Sequence, residues 1–74
     1  MRKISQQLQR RVDNWNRNCP VGTVVTVTLD DGELFVTTTR SLAWVMGGHS
    51  AMVMVDGIAG GYLIDRVQRG RIAS

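Results

Sequence analysis

Arg40, Trp44 and His49 are the side chains whose types and spacing could do chemistry, and they stand among two glycine pairs, Gly47-Gly48 and Gly60-Gly61. A guanidinium offers bidentate hydrogen bonds to carboxylate or phosphate, and an indole offers a large flat face. Imidazole adds one donor and one acceptor, and paired glycines let backbone come close to a ligand. The combination describes binding rather than reaction. Ser41, Ser50, His49 and Asp56 supply the residue types of a hydrolytic triad, but a Ser beside a His in sequence is not a nucleophile elbow. Cys19, next to Pro20, has no neighbour that would lower its pKa, so a Cys19–His49 pair fails too. Asp30 and Asp31 lead into Gly32 and are accounted for by turn chemistry. Neither glycine pair opens a helix as phosphate-binding loops do. With one Cys and one His, a four-ligand zinc site cannot form. The sequence therefore predicts no catalytic residue, no metal and no cofactor. Trp44, Met46, Met52 and Met54 are expected to fill the core, with an adaptable contact patch as the alternative.

Those residues need a scaffold, and 74 residues make one small domain. A chain of this size buries only about 60% of its unfolded surface, so its core is marginal without a staple. A lone cysteine supplies no intramolecular disulfide, which leaves self-association, as a homodimer or higher oligomer, or a partner as the expected stabiliser. The free thiol also points to a reducing compartment, the cytoplasm. No stretch reaches the roughly 20 apolar residues of a membrane span. Charge is uneven: residues 1–20 carry five bases against Asp13, residues 21–61 carry Arg40 against four acids, and residues 62–74 carry three bases against Asp65. Arg2, Lys3, Arg10, Arg11, Arg17, Arg69 and Arg71 therefore form a candidate footprint for nucleic acid.

In chain order, Ile4, Leu8, Val12 and Trp15 line one face of an amphipathic helix within residues 1–18, and Ser5 is a candidate cap. Asn14, Asn16 and Asn18 weaken its end, and Pro20 stops it. The β-branched run Thr23–Leu29 and the run Glu33–Thr39 flank Asp30-Asp31-Gly32 as a hairpin. Val25 and Val27 face one way and Val24, Thr26 and Thr28 the other. Residues 40–48 are too densely apolar to show a period and are expected to be extended with an irregular bend. Ala51–Val55 makes another strand, Gly60-Gly61 a bulge or close approach, and Tyr62–Val67 the last strand. Residues 68–74 read as a fraying basic tail. The expected fold is mainly β with one N-terminal helix. The strands of residues 20–67 would form a small SH3-like antiparallel barrel or a strongly curled sheet, because closure removes exposed edges.

The segments PVGT (Pro20–Thr23), TRSLAWVMGGH (Thr39–His49) and VMVDGIAGG (Val53–Gly61), with the closing YLIDRV, resemble small uncharacterised proteins encoded by phages, prophages and their bacterial hosts. That group's pattern runs P-V-G-T, then T-R-S-x-A-W-x-x-G-G-H, then V-x-V-x-G-x-x-G-G. Arg40, Ser41, Trp44, Gly47, Gly48, His49, Gly57, Gly60 and Gly61 match it. The resemblance implies a phage or mobile-element setting and no activity.

The expected function is a non-enzymatic binding module. It would be an accessory protein that modulates or inhibits a host factor or host defence by occlusion or sequestration, with Arg40, Trp44 and His49 near the contact. Two alternatives are a nucleic-acid-binding module gripping phosphates with the basic termini, and capture of a small anion such as a nucleotide between Arg40, Trp44 and the glycines.

Overall fold

Leu8, Val12 and Trp15 recur on one side of the helix α1 (Gln6–Asn18), and all three pack into the core. The computed structural model describes residues 6–72. The expected cap Ser5 and the first apolar position Ile4 lie outside the described residues. After α1 come β1 (Val24–Thr28), β2 (Leu34–Thr38), β3 (Trp44–Met46), β4 (Ser50–Val53), β5 (Tyr62–Leu63), one 3-10 turn (Ile64–Arg66) and β6 (Val67–Arg69). The protein is mainly β with one N-terminal helix.

The β1–β2 hairpin follows from its turn. Gly32 takes a φ of 89°, which only glycine adopts cheaply, and its N–H donates to the Leu29 carbonyl at 2.8 Å. The Asp31 carboxylate accepts from the Glu33 N–H at 3.0 Å. Register pairs Val27 with Phe35 and Val25 with Thr37, so Val25, Val27 and Phe35 share the inner face.

The strands form two three-stranded antiparallel sheets, β2-β1-β6 and β3-β4-β5. They meet where the end of β2 runs beside residues 54–56. Thr39 and Val55 form an isolated bridge there, Arg40 N–H donates to Met54 at 2.9 Å and Asp56 N–H donates to Thr38 at 2.9 Å. Neither sheet closes on itself. Helix α1 sits against β3 and β4, and a single cluster takes Val12, Val25, Val27, Ala43, Ala51, Val53, Val55, Ile64 and Val67, with Phe35, Val45 and Tyr62 of β2, β3 and β5 packed against it. Among the described residues the largest fully buried apolar side chains are valines.

Two expectations need correction. Tyr62–Val67 is not one strand. Tyr62 and Leu63 pair with Val53 and Met52 in the second sheet, whereas Val67 pairs with Val27 in the first. One straight strand cannot serve both, so a 3-10 turn re-aims the chain and buries Ile64 at the change of sheet. The tail expected at residues 68–74 is also held in part. Gln68 and Arg69 belong to β6, and Gly70 N–H donates to Val24 at 2.7 Å. The buried Thr26 hydroxyl donates to the Gly70 carbonyl and accepts from the Ile72 N–H, each at 2.8 Å.

A second buried hydroxyl does more. Thr39 Oγ1 accepts from the Gly22 N–H at 3.1 Å and the Thr23 N–H at 3.2 Å, and donates to the Pro20 carbonyl at 3.1 Å. Thr39→Val keeps the shape and removes these three bonds, while the Gly22 N–H keeps the Thr39 carbonyl and the Thr23 N–H keeps the Pro20 carbonyl. The expected cost is about 1–2 kcal/mol, the net worth of one or two buried hydrogen bonds. Thr39→Ser should recover most of it. Urea denaturation of the two variants checks this, and equal midpoints for Thr39→Val and the parent would sink the role given to Thr39.

Candidate functional site

Alternation along the second sheet decides which side chains are free to meet a partner. Ala43, Ala51 and Val53 turn inward and are buried, and Val45 packs with them. Trp44, Met46, Met52 and Leu63 must then point outward. Register aligns Trp44 with Met52 and Met52 with Leu63, which draws one apolar row straight across all three strands. Trp44 is 36% exposed, Leu63 39%, Met46 53% and the neighbouring Leu42 55%. The placement of Trp44 and Met46 in the core is therefore corrected: the inner face here takes only small residues, because α1 lies against it and Asn16 is bound to Ala43. Met52 and Met54 are half-buried.

Gly61 fits this row. A Cβ there would lie 2.9 Å from Trp44 Cη2 and 3.3 Å from Met52 Cβ, so only a bare backbone passes beneath the indole. Gly60, with a φ of 75°, turns the chain into that approach. Gly47 and Gly48 both take positive φ in the β3–β4 turn, closed by the His49 N–H on the Met46 carbonyl at 3.3 Å. His49 is exposed, with its imidazole over Gly47. Gly48 and His49 border an open recess of about 280 Å3 with Gln7, Leu8 and Arg11 of the helix. The structure thus divides the sequence constellation into Trp44 with Gly61 in one place, and Gly47, Gly48 and His49 in another.

Arg40 is in a third place. Its Nε donates to the Val55 carbonyl at 3.1 Å and its Nη2 to the Ile58 carbonyl at 3.3 Å, so the guanidinium braces the turn after β4. Ser41 Oγ accepts from the Met54 N–H at 3.1 Å beside it. Gly57 lies under Phe35, whose Cζ would be 3.0 Å from a Cβ at that position. Sequence reasoning took Asn16 only as a residue that weakens the helix end. Its side-chain amide accepts from the Ala43 N–H at 2.8 Å and donates to the Ala43 carbonyl at 3.2 Å, copying a strand partner for the irregular segment before β3. The available signal was an Asn in a helix interior, where propensity disfavours it.

The basic residues are dispersed. Arg10 and Arg17 are exposed on α1, Arg69 lies on β6, Arg71 is exposed after it, and Arg2 and Lys3 lie outside the described residues. Arg11 is paired with Asp65, and Arg66 with Asp30 at 3.6 Å. Among the described residues no three His, Cys, Asp or Glu side chains gather as a metal site, and no helix is long and apolar enough to cross a membrane. No family model, curated protein or solved structure matches the chain.

Two outcomes follow from these placements. Arg40→Ala should lower stability by about 1–2 kcal/mol through loss of charge-assisted bonds to two carbonyls, and Arg40→Lys should not restore it because an ammonium lacks the fork. Thermal melts of both variants test this, and unchanged melting would return Arg40 to the list of free binding groups.

Alkaline pH should also lower stability. Burial raises the Cys19 thiol above its ordinary 9.0, against a lowering by the Arg69 charge. Desolvation and then the Asp30 charge raise the Tyr62 phenol above 10.0. Both folded-state values lie above the unfolded ones, so the fold favours the protonated forms. Stability is full below the unfolded values and is lost as pH rises through the folded ones. The urea midpoint should hold from about pH 7 to 8.5 and fall beyond about pH 9, and Cys19→Ala should delay the fall. A flat profile to about pH 11 would contradict it.

Proposed function

We propose that this protein is a non-enzymatic binding module that docks onto another protein through the outer face of the β3-β4-β5 sheet. The observation that carries this is the exposed row Trp44–Met52–Leu63, with Met46 and Leu42 beside it. Trp is the side chain most often found at the energetic centre of protein interfaces, and Met adapts its shape to varied partners. A contiguous apolar patch on so small a chain is where binding concentrates, while a catalytic site would need convergent polar groups. The strand order supports an SH3-like arrangement: β1 lies between β2 and β6, a 3-10 turn precedes β6, and the Thr39–Val55 bridge links the second sheet. With the resemblance to phage and prophage proteins, the module would occlude or sequester a host factor or a host defence component in the cytoplasm.

The test is affinity capture from a bacterial lysate by the parent chain and by Trp44→Ser and Leu63→Asp, with and without nuclease. A protein retained after nuclease and lost with both variants, each of which still melts cooperatively, is the expected result. Capture abolished by nuclease would favour nucleic acid held by the basic residues instead. Capture indifferent to both substitutions would remove the sheet face from the mechanism. Sedimentation of the same variants shows whether the face serves a second copy.

A further inference from the structure

Tyr62 stands between two open recesses. One, of about 230 Å3, is lined by Asp30, Met52, Gly61, Tyr62, Leu63 and Arg66. The other, of about 360 Å3, is lined by Leu29, Asp30, Asp31, Ile58 and Tyr62. They share Asp30 and Tyr62, so the phenol ring is a ridge with a trough on either side. The ridge is fixed: its hydroxyl donates to the Thr28 carbonyl at 3.2 Å and lies 3.4 Å from the Asp30 carboxylate, and the ring packs against the core.

We propose that the partner presents an extended segment carrying a basic side chain between apolar ones, laid across Tyr62 with its cation on Asp30. This rests on the reading of the chain as a protein-binding module and names the chemistry of what it binds. Three features support it. Met52 and Leu63 belong both to the first recess and to the outer apolar row, so the recess continues the docking face. The floors of the two troughs are apolar, through Met52 and Leu63 on one side and Leu29 and Ile58 on the other. An extended chain places same-side residues about 7 Å apart and so reaches over a single aromatic ridge.

Charge selects the basic side chain. The Asp30 side chain is 94% exposed, and its only ion pair among the described residues, with Arg66 at 3.6 Å, is long and solvated. Exposed pairs of that kind are weak, so an arriving guanidinium displaces Arg66 with little loss and gains a bidentate contact. Asp31 adds a second negative charge at the same mouth. A phosphate backbone would meet repulsion there, which favours a basic peptide over nucleic acid at this site.

A displayed library of random twelve-residue peptides, selected against the full chain, tests the proposal. Enriched peptides should carry Arg or Lys within about three residues of Leu, Ile, Phe or Trp. Binding of the best peptide, followed by fluorescence polarisation, should weaken at least about tenfold with Asp30→Asn and with Arg→Ala in the peptide. Selection against Asp30→Arg should exchange the base for Asp or Glu. Both variants sit at an exposed turn and should melt like the parent. No enrichment, or peptides without a base, would overturn the proposal, as would binding unchanged by Asp30→Asn. Purely apolar peptides lost with Trp44→Ser yet indifferent to Asp30→Asn would overturn it while leaving the sheet-face function standing. Self-association lost with Asp30→Asn would place a second copy in the troughs and overturn the assignment to a different partner.

Discussion

The hydroxyl of Thr39 is the joint on which the rest of the fold depends. Its backbone forms the bridge to Val55 that couples the two sheets, and its N–H and carbonyl bond Thr23 and Gly22. The side-chain oxygen then gives the Gly22 and Thr23 N–H groups and the Pro20 carbonyl a further, shared partner. One buried residue thereby fixes where the helix hands over to β1 and where the first sheet meets the second. A small core whose largest fully buried apolar side chains are valines has little surplus to repair an error at that joint, since net stability is a small difference between large terms.

Around it, the polar side chains most suggestive of chemistry hold backbone in place. Arg40 braces carbonyls of residues 55 and 58, Ser41 receives the Met54 N–H, and Asn16 pairs with Ala43 across the helix–sheet contact. Residues 40–43 leave the regular ladder between β2 and β3, and every one of these contacts satisfies groups in or beside that break. Unpaired buried backbone is costly, so a bent strand needs such partners before it can offer anything to a ligand. The glycines complete the same task by allowing Phe35 and Trp44 to lie on bare backbone at Gly57 and Gly61.

The outer face of the second sheet is the one that scaffold work does not use. Small residues inward at 43 and 51 let α1 come close, and the larger neighbours at 42, 44, 46 and 52 are directed away from it. The exposed row is in this sense the counterpart of the helix contact. Moving the helix onto the sheet with small side chains leaves the bulky ones outside, and Met52 among them lines a recess beside Tyr62.

The sequence by itself determined the elements whose signal is local. The spacing of Leu8, Val12 and Trp15 defined the helix face, and β-branched runs around Asp30-Asp31-Gly32 defined the hairpin with Val25 and Val27 on one face, whereas Val53 and Val55, and not Met52 and Met54, turned out to be the core side of residues 51–55. Tertiary structure decided the rest, because the deciding partners are distant in sequence. Residues 42–46 are apolar without a period, so only pairing with β4 and the approach of α1 could turn Ala43 and Val45 in and Trp44 out. Residues 62–67 look like one strand, and only their allegiance to two different sheets breaks them. Arg40, Trp44 and His49 are close in sequence yet separate in space, since a bend and a hairpin turn lie between them and each side chain is claimed by different neighbours.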